Sequence, residues 1–131
     1  MTYPAVTLPD AELLLGGWLR TALPGRRVVT ELPADLEAVL PAVLVTRIGG
    51  GRTQHVLDNP RLDVDCFAST RELAIDLARQ VESLIPTLRG VTTGGGTVGW
   101  VGVEVGASWR PDWNMRIRRY GLTVLLTIRA A

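Results

Sequence analysis

The spacing of hydrophobic residues predicts a first amphipathic helix near the start of the chain. Leu14, Leu15, Trp18 and Leu19 recur at the three- to five-residue intervals of a helix with one buried stripe. Pro9-Asp10 is typical of a helix start, and Pro24-Gly25 of a helix end. We therefore expect a helix from about residue 10 to residue 22.

The second predicted helix has the most regular pattern in the chain. Ser69 is its expected N-cap, and Glu72 three residues later would complete a Ser-x-x-Glu capping box. Pro86 is expected to kink or end the helix. Its apolar face is formed by leucines and a valine at helical spacing: Leu73, Leu77, Val81, Leu84 and Leu88.

Stretches of alternating or continuous apolar residues predict the strands. They cover residues 28–31, 42–48, 61–68, 101–105 and 114–129. In the third of these, Leu62, Val64, Cys66 and Ala68 face one way, and Asp63, Asp65 and Phe67 the other.

Glycine-rich segments separate the strands. We expect Gly49-Gly50-Gly51 to open a mobile polar loop that reaches Pro60, and residues 93–97 to form a second loop. Residues 106–112 are expected to form a turn. The resulting order, α-β-β-β-α-β-β, predicts an α+β domain: a single antiparallel or mixed sheet with two helices packed on one face.

Length and charge narrow the class of protein. The 131 residues suit one domain with its own core, and we find no repeat and no linker that would divide them. The net charge of +1 argues against a protein whose main task is to bind phosphate backbones. All 14 basic residues are arginine, which a GC-rich genome would explain. A selected need for bidentate pairing with carboxylates is the less favoured alternative. No signal peptide and no membrane span are predicted, so we expect synthesis in the cytoplasm.

Candidate catalytic groups are few. His55 and Cys66, the single histidine and the single cysteine, could form a base and a nucleophile, but a loop imidazole and a buried core thiol are favoured. Asp63 and Asp65 could carry out acid–base chemistry or bind a cation; a solvated or arginine-paired face is favoured. Neither triple-glycine run has the ending of a phosphate-binding loop. We therefore expect no enzyme activity, cofactor or metal.

The C-terminal third is richer in binding residues. Four arginines and three aromatic side chains lie between Trp109 and Tyr120, with Asp112 as the only acid. This composition occurs in nucleic-acid sites and in protein–protein hot spots, and the balanced charge favours the second. Trp100, on the strand face away from the valines, indicates either a covered interface or a second core layer. The candidate interface residues are Asp63, Asp65, Trp100, Trp113, Arg116, Arg118, Arg119 and Tyr120.

Several of these segments together resemble a known family. They are Leu40-Pro41-Ala42-Val43-Leu44-Val45-Thr46-Arg47-Ile48-Gly49-Gly50, the strand at 61–68 with its helix, and Asp112-Trp113-Asn114 through Arg118-Arg119-Tyr120. In this order and spacing they are similar to tail terminator, or tail-completion, proteins of long-tailed siphophages, particularly those of actinobacterial hosts. The likeness covers nearly the whole chain and is weakest at residues 93–99.

The resemblance implies a virion structural protein at the neck of the tail. Members of this family form a homo-hexameric ring at the head-proximal end of the tail tube. The ring ends tube polymerisation and binds the head–tail connector. Double-stranded DNA passes through the lumen without specific binding. No membrane is implied.

Contacts around such a ring are heterologous and close on themselves. We expect the acidic Asp63/Asp65 face to meet the segment carrying Arg116, Arg118 and Arg119 of a neighbouring subunit. Three alternatives remain open: a head-closure or connector subunit of the same neck, a small arginine-rich nucleic-acid-binding module, and an enzyme whose pocket would gather Asp63, Asp65 and His55.

Overall fold

The computed structural model describes residues 2–131, which form one curled, mixed sheet of six strands with two helices on one side. This confirms the predicted α+β class. The helices are α1 (Ala11–Ala22) and α2 (Arg71–Leu84), with single 3-10 turns at Leu36–Val39 and Ile85–Leu88. The strands are β1 (Arg27–Val29), β2 (Ala42–Thr53), β3 (Leu57–Ala68), β4 (Thr92–Thr93), β5 (Gly96–Trp109) and β6 (Arg118–Ala130).

The strand order in the sheet is β1-β2-β3-β6-β5-β4. β1 runs parallel to β2, and every other neighbouring pair is antiparallel. The central pair is therefore β3 and β6, which lie far apart in sequence. No helix within residues 2–131 has the length and apolar character needed to cross a bilayer.

The helices cover what we call the helix face of the sheet. Its core consists of buried apolar side chains from alternate strand positions and from both helices. On the central strands these are Leu62, Val64 and Cys66, with Leu122, Val124, Leu126 and Ile128. The opposite side, which no helix covers, is the open face. Asp63, Asp65 and Thr123 lie on it.

α1 starts where the sequence predicts. The Asp10 carboxylate accepts hydrogen bonds from the backbone N–H of Glu12 and Leu13, at 2.9 and 3.2 Å. These bonds satisfy N–H groups that the helix itself leaves free. The Glu12 carboxylate then accepts a 2.7 Å bond from the backbone N–H of Arg47, which fastens the helix start to β2.

The start of α2 differs from the prediction by one residue. Thr70, not Ser69, is the N-cap: its hydroxyl accepts a 3.2 Å bond from the backbone N–H of Leu73. Glu72 is therefore not at the third helical position, and the predicted capping box is wrong. Leu73, expected on the apolar face, is 54% exposed, while Ala74 and Leu77 are buried, so Leu73 lies at the edge of the buried stripe.

The predicted loop after Gly49 is wrong. β2 and β3 continue as a hairpin whose tip is Gln54-His55, both with positive φ. Gly50 pairs with Pro60 at φ +86°, and an added Cβ would lie 1.9 Å from the Asn59 carbonyl oxygen. Only glycine fits this close approach. Pro60 is tolerated because β3 pairs with β6 on either side of residues 59–60 but not at them.

The predicted turn at 106–112 and the start of the last strand are also displaced. β5 continues to Trp109, and β6 begins at Arg118 rather than near Asn114. Three register shifts in the pairing of β5 with β6 bend β5, which hides its alternation in the sequence. The connection is a loop of residues 110–117, which we call the 110–117 loop.

Candidate interaction surface

A charged cluster covers the centre of the open face. Asp65 is 2% exposed, and its two carboxylate oxygens each accept a 3.0 Å hydrogen bond, one from Arg110 and one from Arg119. Asp63 lies 3.2 Å from Arg110 and accepts a 2.6 Å bond from the Thr123 hydroxyl. Arg110 also donates to Thr123 at 2.9 Å. We call these five residues the open-face network.

The network forms because β3 and β6 are adjacent and antiparallel. Asp63 is opposite Thr123, and Asp65 is opposite Gly121. A Cβ at Gly121 would lie 2.3 Å from the Asp65 carboxylate and 2.8 Å from Arg110, so the glycine leaves room for their ion pair. Of the two interpretations favoured for the aspartates, the arginine-paired one describes the structure. Asp65 and Arg119 meet within one chain.

Two aromatic side chains of this region belong to the interior of the single chain. Phe67 is fully buried on the open face beneath the Arg119 guanidinium, which lies 5.7 Å from its ring centre. Tyr120 is 6% exposed and faces the helices, where its ring packs edge-on against Trp109 at 5.6 Å. Arg71 lies 5.8 Å from the Tyr120 ring centre on the same side. The geometry therefore gives Tyr120 a core role within one chain.

The 110–117 loop exposes large apolar side chains. Trp113 is 92% exposed and Met115 is 85% exposed, the highest values among large hydrophobic residues in the described chain. Burying either side chain would remove its apolar surface from water, which favours association. Tryptophan is also among the residues most enriched at protein–protein hot spots.

The exposed side chains stand on a braced loop. Its base is closed by a 3.0 Å bond from the Arg110 N–H to the Arg119 carbonyl, next to the open-face network. The backbone N–H of Asn114 donates a 2.9 Å hydrogen bond to the Asp112 carboxylate, and the Asn114 side chain donates to Glu37 at 2.7 Å. Arg118 donates to the Met115 carbonyl at 2.6 Å. These bonds tie the loop to its own chain at its base, at Asn114 and at Arg118.

Trp100 lies on the open face of β5 and is 45% exposed. Its ring covers Gly102, where an added Cβ would come within 2.5 Å of the ring. On the same strand, Glu104 pairs with Arg61 of β3. Trp100 is therefore half covered by its own chain, and its role in an interface stays a prediction.

Two grooves flank the end of the sheet where β3 finishes and β6 begins. One, of about 340 Å³, lies between residues 32–38 and the 110–117 loop, with Trp113 on its wall. The other, of about 430 Å³, lies between α2 and the residues before β2. We call the second one the α2 groove. It is lined by Leu40, Pro41, Leu73 and Leu77, with Arg26 and Asp76 among its polar residues.

The groups considered for catalysis do not converge. Cys66 is buried on the helix face, and burial, followed by the nearby Asp65 carboxylate, raises the pKa of its thiol. His55 is at the tip of the β2–β3 hairpin, where its ring contacts the Pro4 carbonyl at 2.6 Å. His55 and Cys66 are 11 residues apart, which corresponds to roughly 36 Å at the rise of an extended strand. Residues 2–131 contain no group of three His, Cys, Asp or Glu placed to hold a metal ion.

Sequence reasoning missed several members of this surface. Arg110 is central to the open-face network, and Met115 is the second apolar side chain of the loop. Thr123, on the last strand, links the two aspartates to Arg110. Strand alternation places Thr123 on the polar face, but the pairing of β3 with β6 is needed to place it opposite Asp63.

Comparison with known proteins adds a shared fold. No protein-family model matches the chain, and no match is found among curated proteins. Among solved structures, the chain is similar to one in "Virion of native gene transfer agent (GTA) particle", with a TM-score of 0.61 and 12% sequence identity. The alignment covers 98% of this chain and 100% of that chain, so the two have the same fold over their whole length.

Proposed function

We propose that this chain is a structural protein of a phage-like virion. Within that class, we propose that it forms a hexameric ring on the head-proximal end of the tail tube. The ring ends tube polymerisation and joins the tail to the head–tail connector or head-closure protein. DNA crosses the lumen without specific binding, and the protein catalyses no reaction.

The observation that carries this proposal is the full-length likeness to a chain of a gene transfer agent virion. The match leaves no part of that chain unaligned and 2% of this one. A fold alone does not imply a function, because one fold hosts many. Here the fold is joined by the resemblance of the 40–50, 61–68 and 112–120 segments to tail terminators, which was drawn from the sequence independently of the fold.

The distribution of polar groups supports an assembly role. The charged groups of the open face are used in hydrogen bonds within the chain. The largest exposed apolar side chains, Trp113 and Met115, stand instead on a braced loop. A surface built in this way stabilises a complex by burial of a few anchor side chains, which is the pattern of a protein–protein interface.

A ring subunit of the neck other than the terminator is the nearest alternative. The two roles differ in what the ring contacts, because the terminator touches the tube protein and a head-closure subunit does not. They also differ in what happens when the protein is missing. Without a terminator, tube subunits continue to add; without a head-closure protein, tails of normal length fail to join heads.

The experiment is to inactivate the gene for this chain in the genome that encodes the particle. The length of the tail tubes is then measured by negative-stain electron microscopy. We expect tubes of variable and excessive length, with no heads attached. Complementation with the wild-type chain is expected to restore one length. Complementation with a Leu13→Ala variant, which changes an exposed apolar side chain on α1, serves as a control and should restore it equally.

Tubes of normal length detached from full heads would contradict the terminator role and support the head-closure role. Normal infectious particles made without the chain would contradict both.

A further inference from the structure

We infer that the 110–117 loop of one copy docks into the α2 groove of a second copy, with Trp113 as the anchor. This inference rests on the proposed ring, and it names the two surfaces that would hold neighbouring subunits together. Within its own chain the loop binds Glu37 through Asn114 and Arg116, but the side chain of Trp113 stays exposed. The loop is braced, so docking requires little ordering of its backbone.

The groove has the size and lining for this occupant. Its volume of about 430 Å³ falls in the range of pockets that enclose small molecules, and one indole ring is smaller than such molecules. Leu40, Pro41 and Leu77 provide apolar walls. Leu73 also lines the groove and is 54% exposed.

The charges on the two surfaces are complementary. Arg116 and Arg118 follow Trp113 on the loop, and Asp112 precedes it. The groove offers the opposite arrangement, with Asp76 on α2 and Arg26 on the far side. Asp76 and Arg26 form no ion pair within residues 2–131. Arg116 lies 3.7 Å from Glu37 of its own chain in an exposed ion pair, which is weak enough to be exchanged. Docking brings Arg116 to Asp76 and places Asp112 towards Arg26.

The position of the two surfaces suits a closed ring. Ala68 at the end of β3 pairs with Arg118 at the start of β6, so the groove and the loop flank the same end of the sheet. The loop is tied to the open face through Arg110, whereas α2 belongs to the helix face. Copies can thus stand side by side, open face towards helix face. Because loop and groove are different surfaces, each copy uses both, which is the condition for a ring.

The test is the self-association of the full-length purified chain, measured by sedimentation velocity over a wide range of concentration. We expect the wild-type chain to associate. Trp113→Ala should raise the dissociation constant roughly 30-fold or more, the loss typical of a hot-spot residue. The matched control is Leu13→Ala, which truncates an exposed apolar side chain that belongs neither to the loop nor to the lining of the α2 groove, and which should leave association unchanged. Circular dichroism checks that each variant is folded.

Charge reversal provides a second and more specific test. Arg116→Glu and Asp76→Arg should each weaken association about tenfold, and the double variant should recover most of the loss. Both side chains are exposed, so folding is not at risk.

Three outcomes would overturn the contact: a wild-type chain that stays monomeric at every concentration, a Trp113→Ala variant that associates as the wild type does, or a double variant no better than either single one. None of these decides the proposed function, which depends on tube length in the particle. Long tubes together with a failed docking test would mean that the ring is held by another surface.

Discussion

Arg119 on β6 donates a 3.0 Å hydrogen bond from Nη2 to Oδ2 of Asp65 on β3. The two residues are 54 positions apart in the sequence and diagonal neighbours in the sheet. The other carboxylate oxygen of Asp65 accepts a hydrogen bond from Arg110, which lies at the base of the 110–117 loop. One buried carboxylate thus connects the central strand pair to the loop that exposes Trp113.

Asp65→Asn should destabilise the protein markedly. The substitution leaves two arginines facing a neutral amide in a site from which water is largely excluded, and breaking such pairs costs several kcal/mol. Both arginines are partly exposed, so we expect a loss of about 2–4 kcal/mol in the free energy of unfolding. Urea denaturation measures it.

Asp63→Asn is the matched control. Asp63 is more exposed, and an amide oxygen can still accept the Thr123 hydroxyl, so we expect a loss of about 1 kcal/mol. Equal losses for the two variants would contradict the central position that we assign to Asp65.

Thr70→Ala should destabilise the protein by about 1 kcal/mol, because the helix loses the hydroxyl that caps its first turn. Ser69→Ala, one residue earlier, is expected to change stability by less than about 0.5 kcal/mol. Thermal unfolding of the two variants side by side distinguishes them. A larger loss of stability for Ser69→Ala than for Thr70→Ala would indicate that Ser69 is the N-cap.

Gly50→Ala tests the long β2–β3 hairpin. A methyl group there would meet the Asn59 carbonyl oxygen, and φ is positive, so we expect a loss of about 3 kcal/mol or more. Gly25→Ala has a similar positive φ but open space around it, and about 1 kcal/mol is expected. Denaturant midpoints compare them. A Gly50→Ala variant as stable as Gly25→Ala would favour the mobile loop first expected from the sequence.

Cys66 should give the stability a dependence on alkaline pH. Burial raises the pKa of its thiol in the folded chain above the ordinary value of 9.0, so ionisation favours the unfolded chain. The stabilising contribution is complete below about pH 9. Above it, we expect the free energy of unfolding to fall by up to about 1.4 kcal/mol per pH unit from this group.

A Cys66→Ala variant supplies the comparison, since its alkaline slope should be smaller by that amount. In the same experiments, the wild-type thiol should react with a thiol reagent only after unfolding. Rapid labelling of the native chain at neutral pH would contradict the buried position of the thiol.

Local patterns were sufficient for the elements whose signals lie close together in the sequence. α1 has its cap and its apolar stripe within a dozen residues. In β3, the apolar residues Leu62, Val64 and Cys66 alternate with polar residues in the sequence. The class of fold follows from such elements and their order. The helix start at Thr70 was missed because Ser69 and Thr70 are both good caps, and local sequence does not rank them.

The remaining features depend on partners distant in the sequence. Taken alone, Gly49-Gly50-Gly51 and Pro60 would each be expected to interrupt a strand. In the structure they face each other across one hairpin. The pairing of Asp65 with Arg110 and Arg119 requires β3 to lie beside β6. The hydrophobic pattern of the sequence does not predict which strands are neighbours. Likewise, the buried state of Tyr120 comes from contacts with Trp109 and Arg71.

The most direct measurement for the proposed role is cryo-electron microscopy of the intact particle with this chain carrying a bulky label at its C-terminus. We expect label density arranged with sixfold symmetry in a single ring between the last layer of the tail tube and the connector. Label density absent from that junction, or repeated along the tube, would contradict the role that we propose.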